Sequence, residues 1–271
     1  MKNIFFTVIL LSSLSLLGSI PIKDGEKVAF LGDSITELGG WTWPYTGFIH
    51  LVQDGLKEKG VKITTIRAGK SGHHTRQMLA RQQRDVLNKK PQWMFLSSGG
   101  NDIAFKISLE EFKKNIAKMV ENAQKAGIKV VLMTSLDAEN SKKRNARLVP
   151  YNAFIRSFAA EKKIHFIDLN KTFQAALKSP EFASIKPPRL SYDGIHLNGF
   201  GHIVAAKAIL RACGLPEAKL PALEKKWTSS KRNALEVFLP VTSREQIAIH
   251  NAAKAGKMSV EAYIKTILPK D

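Results

Sequence analysis

Cysteine is nearly absent: among 271 residues there is one, Cys213. No disulfide can form within the chain. The segment AILRACG around it is apolar, which marks Cys213 as a buried helical residue rather than a nucleophile. Long apolar runs are as scarce. One stands at the start, Ile4 to Leu17, after Lys2 and before Gly18, Ser19 and Pro21. That order of charge, apolar stretch and small residues reads as a secretory signal peptide over 1–19, cleaved near Ser19. A retained N-terminal anchor is the competing reading, but the run is shorter than the roughly 20 residues of a spanning helix. No lipobox cysteine is present, and no other segment is long and apolar enough to cross a membrane. The mature chain is therefore expected to be secreted or periplasmic, with no transmembrane span. Acidic residues are in deficit too, 23 against 42 Lys and Arg, for a formal charge of +19. A basic exported protein could meet nucleic acid, acidic polysaccharide or anionic lipid. The basic residues are scattered over nearly every helical stretch, however, so solvated helix faces explain most of them, with a weak general attraction to polyanions. Long repeats and low-complexity tracts are missing as well.

What is present is an ordinary globular composition, 44% hydrophobic and 24% charged, in a length that suits one large α/β domain with an appendage or two small domains. After the leader, strands alternate with helices. KVAFLGD, VKITTIRAG, QWMFLSSGG, IKVVLMTSL and IHFIDLN read as five buried strands. Between them, WPYTGFIHLVQDGLKEKG reads as a helix with Pro44 in its first turn and Gly60 as its stop. TRQMLARQQRDVLNKK is a second helix. The clearest helix is SLEEFKKNIAKMVENAQKAG, with Ser108 at the N-cap, Glu111 three residues on and Gly127 at the end. ARLVPYNAFIRSFAAEKK reads as a helical stretch interrupted at Pro150. A loop rich in Pro and Ser runs to about Tyr192, and GFGHIVAAKAILRACG closes the domain. Near-continuous apolar strands between amphipathic helices imply a mostly parallel five-stranded sheet covered on both faces. Such sheets bind ligands at the carboxyl ends of their strands.

The domain boundaries follow from composition: a main domain over 24–214, a linker over 215–232 marked by Pro216, Pro221 and Lys/Ser-rich sequence, and a C-terminal appendage over 233–271. The appendage reads as a short strand, a helix to Ala255 stopped by Gly256, and a second helix capped by Ser259.

Residues able to carry chemistry fall on one edge of the expected sheet. Ser34 follows strand one in GDSIT, Gly72 follows strand two in RAGKSGHHT, and Asn101 follows strand three in GGND. Asp193 and His196 follow strand five in YDGIHLN. Each alone has a plain explanation as a helix cap, a turn or a polar loop; five together point to one site. A serine hydroxyl needs a base to take its proton, and histidine suits that task near neutral pH. Asp193, three residues before His196, is placed to hold the other imidazole nitrogen. The backbone N–H groups of Ser34 and Gly72 and the amide of Asn101 would supply three donors to a tetrahedral oxyanion. His73 and His74 beside Gly72 are candidates to line a substrate cleft, with a solvated loop as the alternative; no third ligand stands at metal-binding spacing. Trp41, flanked by glycine, is a candidate platform for a sugar face or an acyl chain, with plain packing as the alternative, and Trp43 before Pro44 suits packing at a helix start. Asp33 and Asp102 are expected to hold loops by hydrogen bonds.

The segments GDSIT, SGHHT, GGND and DGIHLN resemble, in order and spacing, the four blocks of the SGNH hydrolases, also called GDSL esterases/lipases, over roughly Val28 to Gly214. The resemblance implies a three-layer α/β/α, flavodoxin-like doubly wound fold and hydrolysis of carboxylic esters without a metal or other cofactor. It places the family's nucleophile on Ser34, its oxyanion residues on Ser34, Gly72 and Asn101, and its acid and base on Asp193 and His196. One departure is Arg67, where the second block often begins with Asn; local packing is what that puts in question. Exported relatives often deacetylate polysaccharides, and others are lysophospholipases, thioesterases or arylesterases. With no long apolar lid, the expectation is an O-acetyl esterase acting on carbohydrate, with a lipid esterase or a non-catalytic binding protein on the same fold as alternatives. The appendage resembles a ribbon-helix-helix module over about 40 residues, but its pattern is mainly helix, stop, cap and helix. An exported enzyme has little access to genomic DNA, so the appendage is expected to serve packing, dimerisation or polyanion binding rather than nucleic-acid binding.

Overall fold

The structure, a computed structural model, describes residues 18–42, 46–180, 189–229, 243–259, 262, 263 and 266, of which 243–246 as backbone only. Most of the expected signal peptide, Trp43, Pro44 and the strand expected in the appendage lie outside the described residues. The chain divides into two compact units between Ala234 and Leu235.

In the first unit, β1 (Lys27–Gly32), β2 (Thr64–Gly69), β3 (Trp93–Ser97), β4 (Lys129–Met133) and β5 (His165–Ile167) form one sheet. Their order is β2-β1-β3-β4-β5 and every pairing is parallel. Both faces are covered, so successive residues of a strand must both be apolar. Val28 and Phe30 enter one core while Ala29 and Leu31 enter the other, and Trp93 and Phe95 alternate in the same way with Met94 and Leu96. Side chains of α2 (Phe48–Lys57), α7 (Leu169–Leu177) and α8 (Gly199–Ala212) fill the first core; those of α3 (Thr75–Asp85), α5 (Leu109–Lys125) and α6 (Lys142–Glu161) fill the second. Each fully buried large apolar side chain contributes about 1.5–3 kcal/mol. Two one-turn helices, α1 (Ser34–Gly39) and α4 (Gly100–Ala104), start at the carboxyl ends of β1 and β3. The sheet is extended to one side by β2 and to the other by β3, β4 and β5, so the carboxyl ends of β1 and β3 form its topological switch point, where such sheets bind ligands.

Five expectations differ from the structure. The loop expected before Tyr192 contains α7, whose start is capped by the Asp168 carboxylate accepting from the Lys171 N–H at 3.1 Å. Its Leu169 and Phe173, four residues apart, share one buried face. The helix expected to break at Pro150 instead runs unbroken through it. Pro150 is exposed, so water can take the hydrogen bond its ring removes. The stretch expected to be a linker carries α9 (Leu220–Thr228), and Leu215, Leu220, Leu223 and Trp227 join the first core. That core also begins earlier than expected: Ile20 and Ile22 are buried, and the Ile20 N–H donates to Ala212 O at 2.7 Å. In the second unit α10 (Ser243–Ala255) ends as expected, but Lys257, at φ 51°, rather than Gly256 takes the left-handed conformation. Ser259 caps the next turn, accepting from the Ala262 N–H at 3.1 Å.

Three smaller expectations can be placed directly. Ser108 Oγ accepts from the Glu111 N–H at 3.2 Å, but the Glu111 carboxylate pairs with Arg76 on α3 at 2.7 and 2.8 Å instead of closing a capping box. Arg67 reaches from β2 to the carbonyl of Gly40 at 2.9 Å, which His50 Nε2 also meets at 3.0 Å, so it ties down the end of α1. Cys213 is buried, and burial pushes its thiol up to about 12, leaving it unreactive.

The docked α9 sets where the first unit can be cut. A chain ending at Gly214 is expected to be insoluble or strongly destabilised, whereas one ending at Ala234 should stay folded. Trp227→Ala alone should cost about 3–5 kcal/mol, the usual range for a buried tryptophan. Soluble yield and urea denaturation of the three proteins check this.

Candidate active site

The turn after β1 decides what Ser34 can do. The N-cap of α1 is Asp33: its Oδ1 accepts from the Ile35 N–H at 3.0 Å. Ser34 is the first helical residue, so its hydroxyl is not used in capping and reaches His196 Nε2 at 2.9 Å. On the other side of the ring, His196 Nδ1 lies 2.5 Å from Asp193 Oδ2. An ionised carboxylate only accepts, so Nδ1 carries the proton and Nε2 accepts from the serine hydroxyl. Asp193 Oδ1 also accepts from the N–H groups of Ile195 and His196, at 2.9 and 2.7 Å. Partial burial works to raise the Asp193 pKa, but these bonds from His196 and Ile195 outweigh it and hold the carboxyl below its usual range. Asp193 therefore stays ionised at neutral pH.

The loop bearing Asp193 and His196 is anchored by groups far away in sequence. Glu139, after β4, accepts from the N–H groups of Arg189 and Leu190 at 2.7 and 2.8 Å and from Ser191 Oγ at 2.6 Å, while its own N–H donates to Gly194 O. Asn140 Nδ2 donates to Asp193 O at 3.3 Å. Ser191 and Leu197 close an antiparallel bridge. The Tyr192 ring stacks on the His196 imidazole, with centroids 5.8 Å apart and planes 20° from parallel.

Gly72 and Asn101 come from the two neighbouring strand ends. Gly72 has φ +77°, a conformation that a side chain would strain. The Asn101 amide donates to His73 O at 3.0 Å, so the loop after β2 and the helix after β3 are joined. Asp102 reinforces that junction. It is buried and accepts from the Thr75 N–H at 3.1 Å, Thr75 Oγ1 at 2.5 Å and Ser98 Oγ at 2.9 Å. This is the loop-holding part expected of Asp102, and Asp33 plays the matching part in α1.

The three further candidates are placed as follows. Nδ1 of His73 accepts from Arg81 Nε at 3.2 Å, and burial followed by the Arg81 charge pushes its pKa down. His74 lies against Phe105, ring centroids 5.7 Å apart. Trp41, just beyond α1, is 46% exposed. Sequence reasoning overlooked Arg81, although an arginine on the α3 face that buries Met78 and Gln82 was a readable sign. It donates to Gly32 O at 2.8 Å and Ala68 O at 2.7 Å, stitching together the ends of β1 and β2 beneath the site. Glu139 gave no comparable sign.

A serine, an imidazole and a carboxylate in hydrogen-bonded series, at the crevice of a doubly wound parallel sheet, put the protein in the class of serine hydrolases. The model of the GDSL-like lipase/acylhydrolase family matches residues 30–204, and the chain belongs to that family. It is a carboxylic ester hydrolase. It is 27% identical over 219 residues to an acetylxylan esterase of Geobacillus stearothermophilus, covering 72% of this chain and 97% of that protein. It is 34% identical over 121 residues to YqeF, an uncharacterized lipoprotein of Bacillus subtilis, covering 41% of this chain and 49% of that one. A crystal structure of an acetylxylan esterase from G. stearothermophilus superposes with TM-score 0.64 at 26% identity, covering 73% of this chain and 98% of that one.

Asp33 carries a pH signature. Burial raises its pKa to about 6, opposed first by the Ile35 N–H, with Asp102 raising it and His196 and Arg144 lowering it. A folded-state pKa above the unfolded value gives stability that is present below the unfolded value of 3.8 and lost as pH rises through about 6. The difference amounts to about 3 kcal/mol. Asn keeps the oxygen that accepts from Ile35. Asp33→Asn should therefore be more stable than the parent at pH 8, by up to that amount, and no more stable at pH 4. Denaturation at the two pH values measures it; an equal effect at both would show that Asp33 does not titrate between them.

Proposed function

We propose that this protein removes O-acetyl groups from carbohydrate through an acetyl-enzyme on Ser34. The observation that carries the reading is the unbroken series Ser34–His196–Asp193. His196 Nε2 takes the Ser34 proton as Oγ attacks the ester carbonyl carbon. The oxyanion that forms is met by the N–H groups of Ser34 and Gly72 and by the second N–H of the Asn101 amide. Each such donor lowers the barrier by about 2.7–4 kcal/mol. The same proton passes to the departing sugar oxygen and the acetyl group stays on Ser34. A water molecule then gives its proton to His196 and attacks the acetyl carbon, and acetate and free Ser34 are released. Asp193 holds the Nδ1–H tautomer and stabilises the imidazolium formed in both halves.

Several observations support the roles and the substrate. Structures described as catalytic mutants of the related acetylxylan esterase replace a serine, an aspartate and a histidine by alanine. The acetylxylan relative is matched over almost its whole length. Trp41, 46% exposed, offers a ring for a sugar face, and we assign His73 and His74, which follow Gly72 directly, to lining the substrate. The charge of +19 tolerates acidic glycans. We place the enzyme outside the cytoplasm, with a signal peptide over 1–19 removed just before the buried Ile20. Among the described residues no helix is long and apolar enough to cross a membrane. The unit beyond Ala234 we assign to self-association or to holding a polyanionic surface, not to nucleic acid.

Ser34→Ala should abolish hydrolysis of an aryl acetate while leaving the melting temperature unchanged, and a phosphonate ester should label Ser34 alone. His196→Ala should lose about 10³-fold or more in kcat, and Asp193→Asn somewhat less. Acetyl esters should be cleaved faster than octanoyl esters, and acetylated xylo-oligosaccharides should release acetate with or without a chelator. Full activity in Ser34→Ala would overturn the mechanism. Preference for octanoyl esters would overturn the carbohydrate assignment and favour a lipid esterase.

A further inference from the structure

We propose that Glu37 is the positioning residue of the oxyanion hole, fixing Ser71, the residue whose carbonyl is joined to the Gly72 N–H, against the helical turn that carries Ser34. The inference rests on the esterase reading above. Glu37 stands three residues after Ser34 in α1, and its Oε2 accepts from the Ser71 N–H at 2.7 Å and from the Ser71 hydroxyl. Ser71 and Gly72 are exposed, and a Cβ at Gly72 would meet nothing within 4 Å. Packing therefore does not fix the Gly72 peptide, and hydrogen bonds must. The Lys70 N–H donates to Gly32 O at 3.2 Å, the His73 N–H to Lys70 O at 3.2 Å, and the Asn101 amide to His73 O at 3.0 Å. Among the loop's described hydrogen bonds, those to Glu37 alone join it to the helix of Ser34 and end on a charged acceptor, which makes them the strong ones.

The acid is itself held in place. A Cβ at Gly69 would lie 2.1 Å from the Glu37 nitrogen, so the end of β2 runs directly against this turn of α1. The Glu37 N–H donates to Asp33 O at 2.9 Å. A donor useful to the tetrahedral intermediate must sit at a set distance from Ser34 Oγ, and Glu37 ties donor and nucleophile to one rigid turn. Glu37 touches no reacting atom; it acts through the Gly72 N–H. Its loss should therefore appear in kcat and leave KM for a small ester almost unchanged.

The test compares Glu37→Gln, which keeps an acceptor for Ser71, with Glu37→Met, which keeps the length and loses the acceptor. Asn101→Ala serves as the control for the oxyanion hole. Kinetics on an aryl acetate, affinity for a boronic acid that forms a tetrahedral adduct on serine, and melting temperature are measured for each. Glu37→Met should lose about 10- to 100-fold in kcat, the scale of a misplaced catalytic group, with KM within about 3-fold. Its boronate affinity should fall with kcat. Glu37→Gln should recover most of both, and the two melting temperatures should agree. A Glu37→Met rate within about 2-fold of the parent, beside a large loss in Asn101→Ala, would overturn the role of Glu37 alone, since a lost donor costs about 10²–10³. An unimpaired Asn101→Ala would overturn the oxyanion reading itself. Equal losses in Gln and Met, or losses that track melting temperature, would mark Glu37 as structural and overturn the proposal.

Discussion

The hydrogen bond between His196 Nε2 and Ser34 Oγ is the contact on which the site depends, and much of the fold serves to keep it. Its two ends are secured differently. Ser34 is fixed by the sheet: β1 is paired on both sides, Gly32 pairs with Gly69 in β2, and Leu31 is level with Leu96 in β3. That register brings the chain turns after three strands to one edge, where α1, the Gly72 loop and α4 begin. Arg81 locks the ends of β1 and β2 from below, and Asp102 joins the second turn to the third. His196 belongs to a loop outside the sheet. Leu190 and Leu197 bury the two ends of that loop in the first core, and polar anchors come from Glu139, Asn140 and Asn198, the last donating to Arg189 O at 2.9 Å. The apolar contacts hold the loop down, and the hydrogen bonds to its backbone fix direction as well as distance.

The electrostatics of the crevice divide along the same line. Asp102 is buried but richly hydrogen-bonded. Asp33 has the Ile35 N–H and the more distant Arg144 guanidinium to favour its charge, and burial still leaves it costly to ionise. The fold thus tolerates a destabilised acid next to the base. His202, three residues into α8, shows the opposite treatment. Burial pushes its pKa down to about 3, and its neutral ring accepts from the Phe48 N–H at 3.2 Å, joining α8 to α2. One histidine is kept available for proton transfer while its neighbour in sequence is kept out of it.

Much of this was legible in the sequence because short-range rules govern it. Apolar runs such as KVAFLG must be strands buried on both faces, and caps such as Ser108 announce their helices. GDSIT, GGND and DGIHLN lie where strand ends and loops put them, so the spacing of motifs foretold which side chains would meet. What escaped was set by contacts distant in sequence. Whether a Pro- and Lys-containing stretch such as 215–228 is a linker or a docked helix depends on the apolar surface waiting for it, here near α2, where Asp54 also receives Trp227 Nε1 at 2.9 Å. Glu37, Arg81 and Glu139 grip backbone groups 34, 49 and 50 residues away. Their partners are N–H and C=O groups, which every residue carries, and such contacts leave no pattern in the letters. The helix through Pro150 escaped for another reason: a proline facing water loses less than the rule for helix interiors supposes.

Ser34 and His196 stand 162 residues apart, and His196 with α8, which follows it, is among the last parts of the first unit to be made. Strands β1 to β5 can pair, and both cores can begin to close, while the imidazole is still far from the hydroxyl. Contacts of such long range carry a large entropic cost of closure and form late. Until the segment that carries His196 has been made and seated, Ser34 has no base to take its proton, so the nucleophile is the first part of the site to be made and the last to be activated.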